Sequence, residues 1–391
     1  MIQRAIRQTT VIRHTITKAD LERIIIAHIP VDCASYDIMS ECIGKLPEEP
    51  TPMVADGEES TAVTPPTPMP TTAKELLPEV EVYTLTVMVT ALLRYESTYA
   101  CSAYLASHLI DRLMKFNRRS LDSLGAKAFF YYSLAHEKID RLEQIRATLM
   151  SCYQSSCYHR DEMTQIVLLN SIIRNYFAYG LTEQVQILTD KTHSSGTDPS
   201  TAVSHNQYCR YVYYLGRTHA IQLEYSKAHS LLQMALRKAP QDYAFGFMKA
   251  VYKLMVLVQL LMGGIPERSI FNGGNHVPVR DALKPYLQLT QAVRAGDIAA
   301  FQLIAEHVEY KPMFVRDKNY SLIQRLGHNV LKTGLKKISV SYSRISFADI
   351  ATKLLLPSTT ATEFVCAKAI RYGSCGLLLI LNDFLLIYIV F

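Results

Sequence analysis

A chain of 391 residues with 49% hydrophobic content is long enough for more than one packed unit and can bury sizeable cores, which excludes general disorder. Its formal charge of +6, from 41 basic and 35 acidic residues, is too mild to require nucleic acid as a partner. The eight cysteines, Cys33, Cys42, Cys101, Cys152, Cys157, Cys209, Cys366 and Cys375, form no C-x-x-C pair, so they are expected to be reduced, buried thiols rather than metal ligands.

From Met1 to Lys18 the chain carries Arg4, Arg7, Arg13 and Lys18 without an acid, a bias shared with organelle transit peptides. Asp20 and Glu22 end it just before Ile24, Ile25 and Ile26, which favours an ordinary capped helix in an N-terminal segment over residues 1–45. Residues 46–75 are rich in Pro and Thr; prolines remove backbone donors and few large apolar groups offset the entropy of ordering, so a disordered linker is predicted.

Over residues 76–265 the texture changes to long apolar-periodic runs, beginning with Val80, Val82, Tyr83, Leu85, Val87 and Met88. The stretch from Val212 to Pro240 can be laid on the tetratricopeptide pattern. Leu215 and Gly216 match its first helix, Ala228 and Ala235 are the small residues where two helices approach, and Pro240 closes the unit. Val212 and His219 stand where that pattern has large aromatics. Comparable helix-turn-helix texture over 131–149 and 168–187 predicts stacked pairs with one continuous core. Tyr208, Tyr211, Tyr213 and Tyr214 with Arg210 and Arg217 resemble a base-stacking platform, but Tyr211, Tyr214 and Leu215 fall at helical intervals and are assigned to the core.

Gly263, Gly264, Pro266 and the Asn272 to Asn275 run break the pattern before a second helical series over 266–335. Ile338 to Tyr342 alternates apolar and polar residues as a strand does. Ser346 is placed to cap a helix that Pro357 stops, and Thr360 with Glu363 has capping-box spacing for another, whose buried side is read as Phe364, Val365, Ala367 and Ile370. That helix carries Glu363 early and Lys368 and Arg371 late, with no Arg, Asn or Gln in its first turn, so protein rather than DNA contact is expected.

No phosphate loop, nucleophile elbow, zinc-protease helix or dinucleotide turn is present in the sequence. The predicted catalytic, cofactor-binding and metal-ligating sets are therefore empty; His136 beside Glu137 and His159 beside Asp161 are read as helix-surface residues. The fold class expected is all-α, a TPR-like helical-repeat solenoid followed by a winged helix.

The run RLGHNVLKTGLKKISVSYSRISFADIATKL, preceded in order by NRRSLDSLGAKAFFYY, YLGRTHAIQLEYSKA, ALRKAP and PYLQLTQAVRAGDIAAF, resembles the proteasome non-ATPase regulatory subunit 3 family from about Leu77 to Arg371. The resemblance implies a PCI module with its helical part over 266–335 and an incomplete winged helix over 336–371. It implies a non-catalytic scaffold of the regulatory particle lid, in the cytoplasm and nucleus, supporting degradation of ubiquitinated proteins. Its implied partners are other lid PCI subunits and a small acidic disordered lid subunit; no nucleic acid and no membrane are expected. Among its residues Ser341, Tyr342, Ser343 and Arg344 are the expected partner interface, through a strand-like edge. Residues 372–391 depart from the family as an atypical hydrophobic tail, too short for a ~20-residue span and interrupted by Asn382 and Asp383. Two alternatives are a nucleic-acid-binding PCI protein of the messenger-export type, which needs a contiguous basic surface, and a membrane-anchored helical adaptor using the tail.

Overall fold

The computed structural model describes residues 2–13, 15–30, 33–47, 77–116, 118–194, 204–240, 243–271, 277–342, 344–371, 377–379 and 384–387. The expected linker lies outside them from residue 48 onward, as do Ser343 and Cys375. Two units are distinguished, Met1–Tyr208 and Cys209–Phe391.

The first unit is built from α1 (Ile2–Ile12), α2 (Lys18–His28), α3 (Ala34–Gly44), α4 (Pro78–Leu92), α5 (Tyr99–Lys115), α6 (Asp122–Lys138), α7 (Arg146–His159), α8 (Glu162–Ala178) and α9 (Thr182–Ser194). Thr17 caps α2 by a reciprocal box: its hydroxyl accepts from the Asp20 amide while the Asp20 carboxylate accepts from the Thr17 amide at 3.2 Å. Pro78 opens α4, where its missing N–H has no helical partner to lose. Helix α4 is apolar on nearly every side and correspondingly buried; Thr84, Thr86 and Thr90 sit within it by donating their hydroxyls to carbonyls one turn back. Helices α4, α5 and α6 pack in sequence, and α6 also touches α8, the neighbour and next-neighbour pattern of stacked helix pairs.

Charged groups inside this unit are held by one another. Glu81 is 2% exposed. Its carboxylate accepts from Arg112 Nε at 2.8 Å and Nη2 at 3.0 Å, and from Ser35 Oγ at 2.6 Å. Ser35 Oγ also lies 3.2 Å from His108 Nε2, so α3, α4 and α5 meet at one polar cluster. Burial works to raise the Glu81 carboxyl, but the hydrogen bonds of Arg112 and Ser35 and the guanidinium charge outweigh it, and the group sits below the usual glutamate range.

His136 corrects the sequence reading: it is buried, its Nδ1 lies 3.0 Å from the Tyr132 carbonyl, and its ring stands edge-on to that of Tyr132. It lies on the face of α6 shared with Ala128, Tyr132 and Ala135, which the adjacent Glu137 disguised. His159 is exposed, as expected. Burial lowers both His108 and His136, with Arg112 and Arg141 respectively adding to the shift. A lowered folded pKa means the unfolded chain takes up protons first, so stability present at neutral pH is lost on acidification. The urea midpoint of the first unit is accordingly expected to fall as pH drops below about 6.5, and again below about 4.5 where unfolded Glu81 protonates. Midpoints identical at pH 7.5 and pH 5.5 would remove the histidines from this account.

Helix α10 (His205–Ile221) leads into the second unit, which continues with α11 (Tyr225–Lys238), α12 (Phe245–Leu261), α13 (Arg268–Phe271), α14 (Val277–Ala295), α15 (Ile298–Ala305), α16 (Tyr310–Arg316) and α17 (Tyr320–Ser341). Then come β1 (Arg344–Ser346), α18 (Phe347–Leu354), α19 (Thr359–Arg371), β2 (Leu377–Leu379) and β3 (Phe384–Ile387). The all-α class with TPR-like repeats is what the chain adopts, with strands confined, among the described residues, to a small sheet of order β1-β3-β2. The core runs from Leu232 through Leu257 and Leu283 to Tyr286, Phe314 and Leu326, and a second cluster holds Leu335, Ile338, Ile350, Leu354, Cys366 and Ala369. Ile298 packs against both.

Three local expectations are corrected here. Ile338 to Ser341 is the last turn of α17, not a strand. Leu326, Val330, Gly334, Leu335 and Ile338 form a 3.6-residue stripe into the core, and this longer period overrides the short alternation that leaves Val340 79% exposed. Helix α19 is capped by Ser358 rather than Thr360, since Ser358 Oγ accepts from the Ala361 amide at 3.1 Å. Its buried stripe is Thr362, Cys366 and Ala369; Phe364 points outward and Val365 and Ile370 lie at the margin of the core. The cysteines are not uniformly buried either: Cys157 is exposed and Cys33 and Cys101 are half-buried.

Candidate partner interface

Gly216 on α10 sits where α11 crosses. A Cβ placed on it would stand 3.1 Å from Leu232 Cγ and 3.5 Å from the Ala228 carbonyl, so glycine lets the two backbones close. Leu215, Ala228 and Ala235 are buried beside it, and Pro240 follows the end of α11, half-buried. Of the residues read as repeat packing, Leu215 and Gly216 lie on α10 and Ala228 and Ala235 on α11, with Pro240 beyond its end. Tyr211 is buried and Tyr213 packs into the same core, its ring centroid 5.6 Å from that of Phe247.

On α12, Lys253 is 7% exposed among buried apolar neighbours. Its Nζ donates to Asp317 Oδ2 at 2.6 Å and lies 5.8 Å from the centre of the Tyr286 ring. The Tyr286 hydroxyl accepts from Asn319 Nδ2 at 3.3 Å, so the turn between α16 and α17 is fixed to α12 and α14 from within.

Helix α17 is the spine of the C-terminal module. Near its middle Asn329 Nδ2 donates to the Leu260 and Leu261 carbonyls at 2.9 and 3.0 Å, serving the orphan acceptors at the end of α12. Farther on, Lys337 Nζ donates to the Ala295 carbonyl at 2.9 Å and so caps α14. Between these two contacts Gly334 meets Gly296, the left-handed residue (φ 68°) that ends α14. A Cβ on Gly296 would come within 2.8 Å of the Gly334 amide nitrogen and 2.9 Å of its Cα. Neither glycine is assigned a role from the sequence; the signal available is Gly334 inside a periodic helix, where glycine is otherwise disfavoured.

Beyond α17 the chain turns through Tyr342, which is extended and 40% exposed. Lys353 on α18 donates to its hydroxyl at 2.9 Å and stands 4.8 Å from its ring centre, tying the exit of α17 to α18. Ser346 caps α18 by accepting from the Asp349 amide at 3.1 Å. Strand β1 pairs antiparallel with β3, with Arg344 opposite Leu386 and Ser346 opposite Phe384, and β2 pairs with the far side of β3. Residues 377–379 and 384–387, read as part of a tail outside the winged helix, therefore complete a three-stranded sheet with β1. Asn382 and Asp383 stand between the two strands in sequence.

Of the four expected interface residues, Ser341 ends α17 and is exposed, Tyr342 links it to the sheet, Arg344 begins β1, and Ser343 lies outside the described residues. Among the described residues β1 has a ladder neighbour on one side only, which leaves its outer edge without a sheet partner. Large apolar side chains exposed in the same module are Val340 (79%), Leu355 (63%) and Phe364 (77%). No group of three or more His, Cys, Asp or Glu positioned to hold a metal occurs among the described residues, and none of their helices is long and apolar enough to cross a membrane.

Residues 1–290 match the family described as PSMD3-like, N-terminal TPR repeats, and residues 307–374 match the PCI domain. The chain is 43% identical over 299 residues to a fission yeast (Schizosaccharomyces pombe) protein named probable 26S proteasome regulatory subunit rpn3, covering 76% of this chain and 58% of that one. It is 43% identical over 281 residues to the 26S proteasome non-ATPase regulatory subunit 3 of Dictyostelium discoideum, covering 72% and 53%. With homolog A of that subunit in Arabidopsis thaliana it shares 38% identity over 379 residues, 95% of this chain and 73% of that one. The chain thus spans little more than half the length of the first two of these relatives.

Proposed function

The chain belongs to the PSMD3-like family of proteasome regulatory subunits, and from that premise we propose that it is a non-catalytic scaffold of the regulatory particle lid, acting through protein contacts in the degradation of ubiquitinated proteins. The observation that carries this reading is a TPR-like helical series continued by one helix, α17, into a module whose strand β1 has, among the described residues, a sheet neighbour on one side only. An edge strand is suited to join a larger assembly by strand addition, since backbone hydrogen bonds supply affinity without a deep pocket. The partners expected at this edge are the PCI modules of other lid subunits, contacting Ser341, Tyr342, Ser343 and Arg344. A small acidic disordered lid subunit is assigned to the helices, and the compartments proposed are cytoplasm and nucleus.

Affinity purification of the tagged chain from its own cells, read by quantitative mass spectrometry, tests this. Lid and ATPase subunits are expected to co-purify; their absence overturns the reading. A variant with Val340→Asp and Ser341→Arg, both at exposed positions, is expected to keep its circular dichroism spectrum while recovering lid subunits at least about tenfold less well. Unchanged recovery would move the interface away from the end of α17.

A further inference from the structure

Neighbours between α3 and α5 follow opposite chain order, Cys33 with Arg112, Ser35 with His108 and Cys42 with Cys101, which sets the two helices antiparallel. Ser35 near the start of α3 meets His108 on α5 at 3.2 Å. On α3 Cys42 lies two turns beyond Ser35, and on α5 Cys101 lies two turns before His108. Seven residues on each helix advance about 10.5 Å along the axis, and in an antiparallel pair the two advances run in the same direction. They also return each cysteine to the face of the helix from which Ser35 and His108 point. Electrostatic neighbours follow the same order: Arg112 senses Cys33 at one end of the pair, and both Cys42 and Lys45 sense Cys101 at the other. Packed helix axes stand about 8–10 Å apart, and side chains as small as cysteine on the facing sides bring Cα atoms toward the ~5–7 Å that a disulfide spans.

We propose that Cys42 and Cys101 are an oxidative cross-linking site that locks α3 onto α5 when the chain meets a hydroperoxide. The two thiols differ in access, since Cys42 is 3% exposed whereas Cys101 is half-buried. Burial pushes the Cys42 thiol up to about 11, holding it neutral. The peroxide therefore meets Cys101 first: its sulfur takes the terminal hydroxyl of the hydroperoxide, giving a sulfenic acid and releasing the alcohol, or water when hydrogen peroxide is the oxidant. The Cys42 sulfur then attacks the Cys101 sulfur; the S–S bond forms, the S–O bond breaks, and hydroxide leaves with the Cys42 proton as water. Both sulfurs are oxidised and the peroxide is reduced. The bond joins α3 to α5 and closes a loop from Cys42 to Cys101, which lowers the conformational entropy of the denatured chain.

The full chain, treated dilute with hydrogen peroxide, quenched with N-ethylmaleimide and digested without reductant, decides the matter by mass spectrometry. The expected product is the Cys42 peptide linked to the Cys101 peptide, with fragmentation placing the bond at Cys42 rather than Cys33. The oxidised chain should melt about 5 °C higher, and dithiothreitol should reverse the shift. Cys101→Ser should abolish both effects, while Cys157→Ser, at an exposed position on α7, should change neither. Recovery of Cys101 as sulfinic acid, or of Cys42 alkylated while Cys101 is oxidised, overturns the proposal, as does a link to Cys33. The readout on the unsubstituted chain decides the question even if a Cys42→Ser variant folds poorly.

Discussion

Replacing Gly296 with alanine is expected to destabilise the second unit by about 2–4 kcal/mol, because the new methyl meets backbone rather than side chain. Its Cβ would lie 2.8 Å from the Gly334 nitrogen and 3.2 Å from the Thr333 carbonyl carbon, and none of these atoms moves without displacing α17. The φ of 68° adds the cost of holding an L-residue in the left-handed region, about 1 kcal/mol. The reciprocal variant Gly334→Leu meets Leu354 Cδ2 at 2.8 Å and the Gly296 carbonyl oxygen at 3.0 Å from its Cβ alone, and its longer side chain has to enter the same crossing. On helix propensity alone, removing a glycine from the middle of the 22-residue α17 should stabilise by about 1 kcal/mol. The two accounts therefore predict opposite signs. Urea denaturation followed by circular dichroism measures which holds, and hydrogen exchange should show α17 to α19 losing protection first. A midpoint unmoved or raised in both variants would mean that the contact is slack.

Truncating Arg112 to alanine is expected to cost the first unit about 3 kcal/mol or more, because Glu81 would then remain 2% exposed with its charge uncompensated. The interaction is bidentate and is reinforced by Ser35, so geometry as well as charge is lost. Arg112 itself keeps a quarter of its side-chain surface, which places the expected loss at the lower end of the range for buried pairs. Replacing both partners, as Glu81→Leu with Arg112→Met, should recover most of that loss, since no buried charge is left behind. A double variant as unstable as Arg112→Ala would show that packing rather than the ion pair sets the stability here. Because Ser35 belongs to α3, the single variant should also loosen the N-terminal helices, visible as faster proteolysis before residue 48.

Much of this architecture was legible in the sequence because helices report themselves locally. The apolar runs of α4, α8 and α12 and the cap at Ser346 are each set within a few residues, and the structure places them in helices; Gly216 on α10 faces Ala228 on α11. The same local logic failed where two local signals competed. Ile338 to Tyr342 alternates over five residues, but the core stripe of α17 extends over five turns and buries more apolar surface, so the longer period prevails. Thr360 and Ser358 both offer a capping hydroxyl, and the helix start settles on Ser358, next after the Pro357 that stops α18.

Sequence alone thus determined the helical class, the repeat pair on α10 and α11, the family and the expectation of a winged helix at the C-terminal end. Only tertiary structure decided which charges lie inside, which glycines touch and which strands pair. Glu81 and Lys253 have their partners 31 and 64 residues away, and no spacing rule reaches so far. Gly296 and Gly334 close on each other because α14 and α17 cross, and Leu386 pairs with Arg344 because α18 and α19 fold back between them. Periodicity encodes which face of an element is buried; what that face meets is set by the path of the chain as a whole.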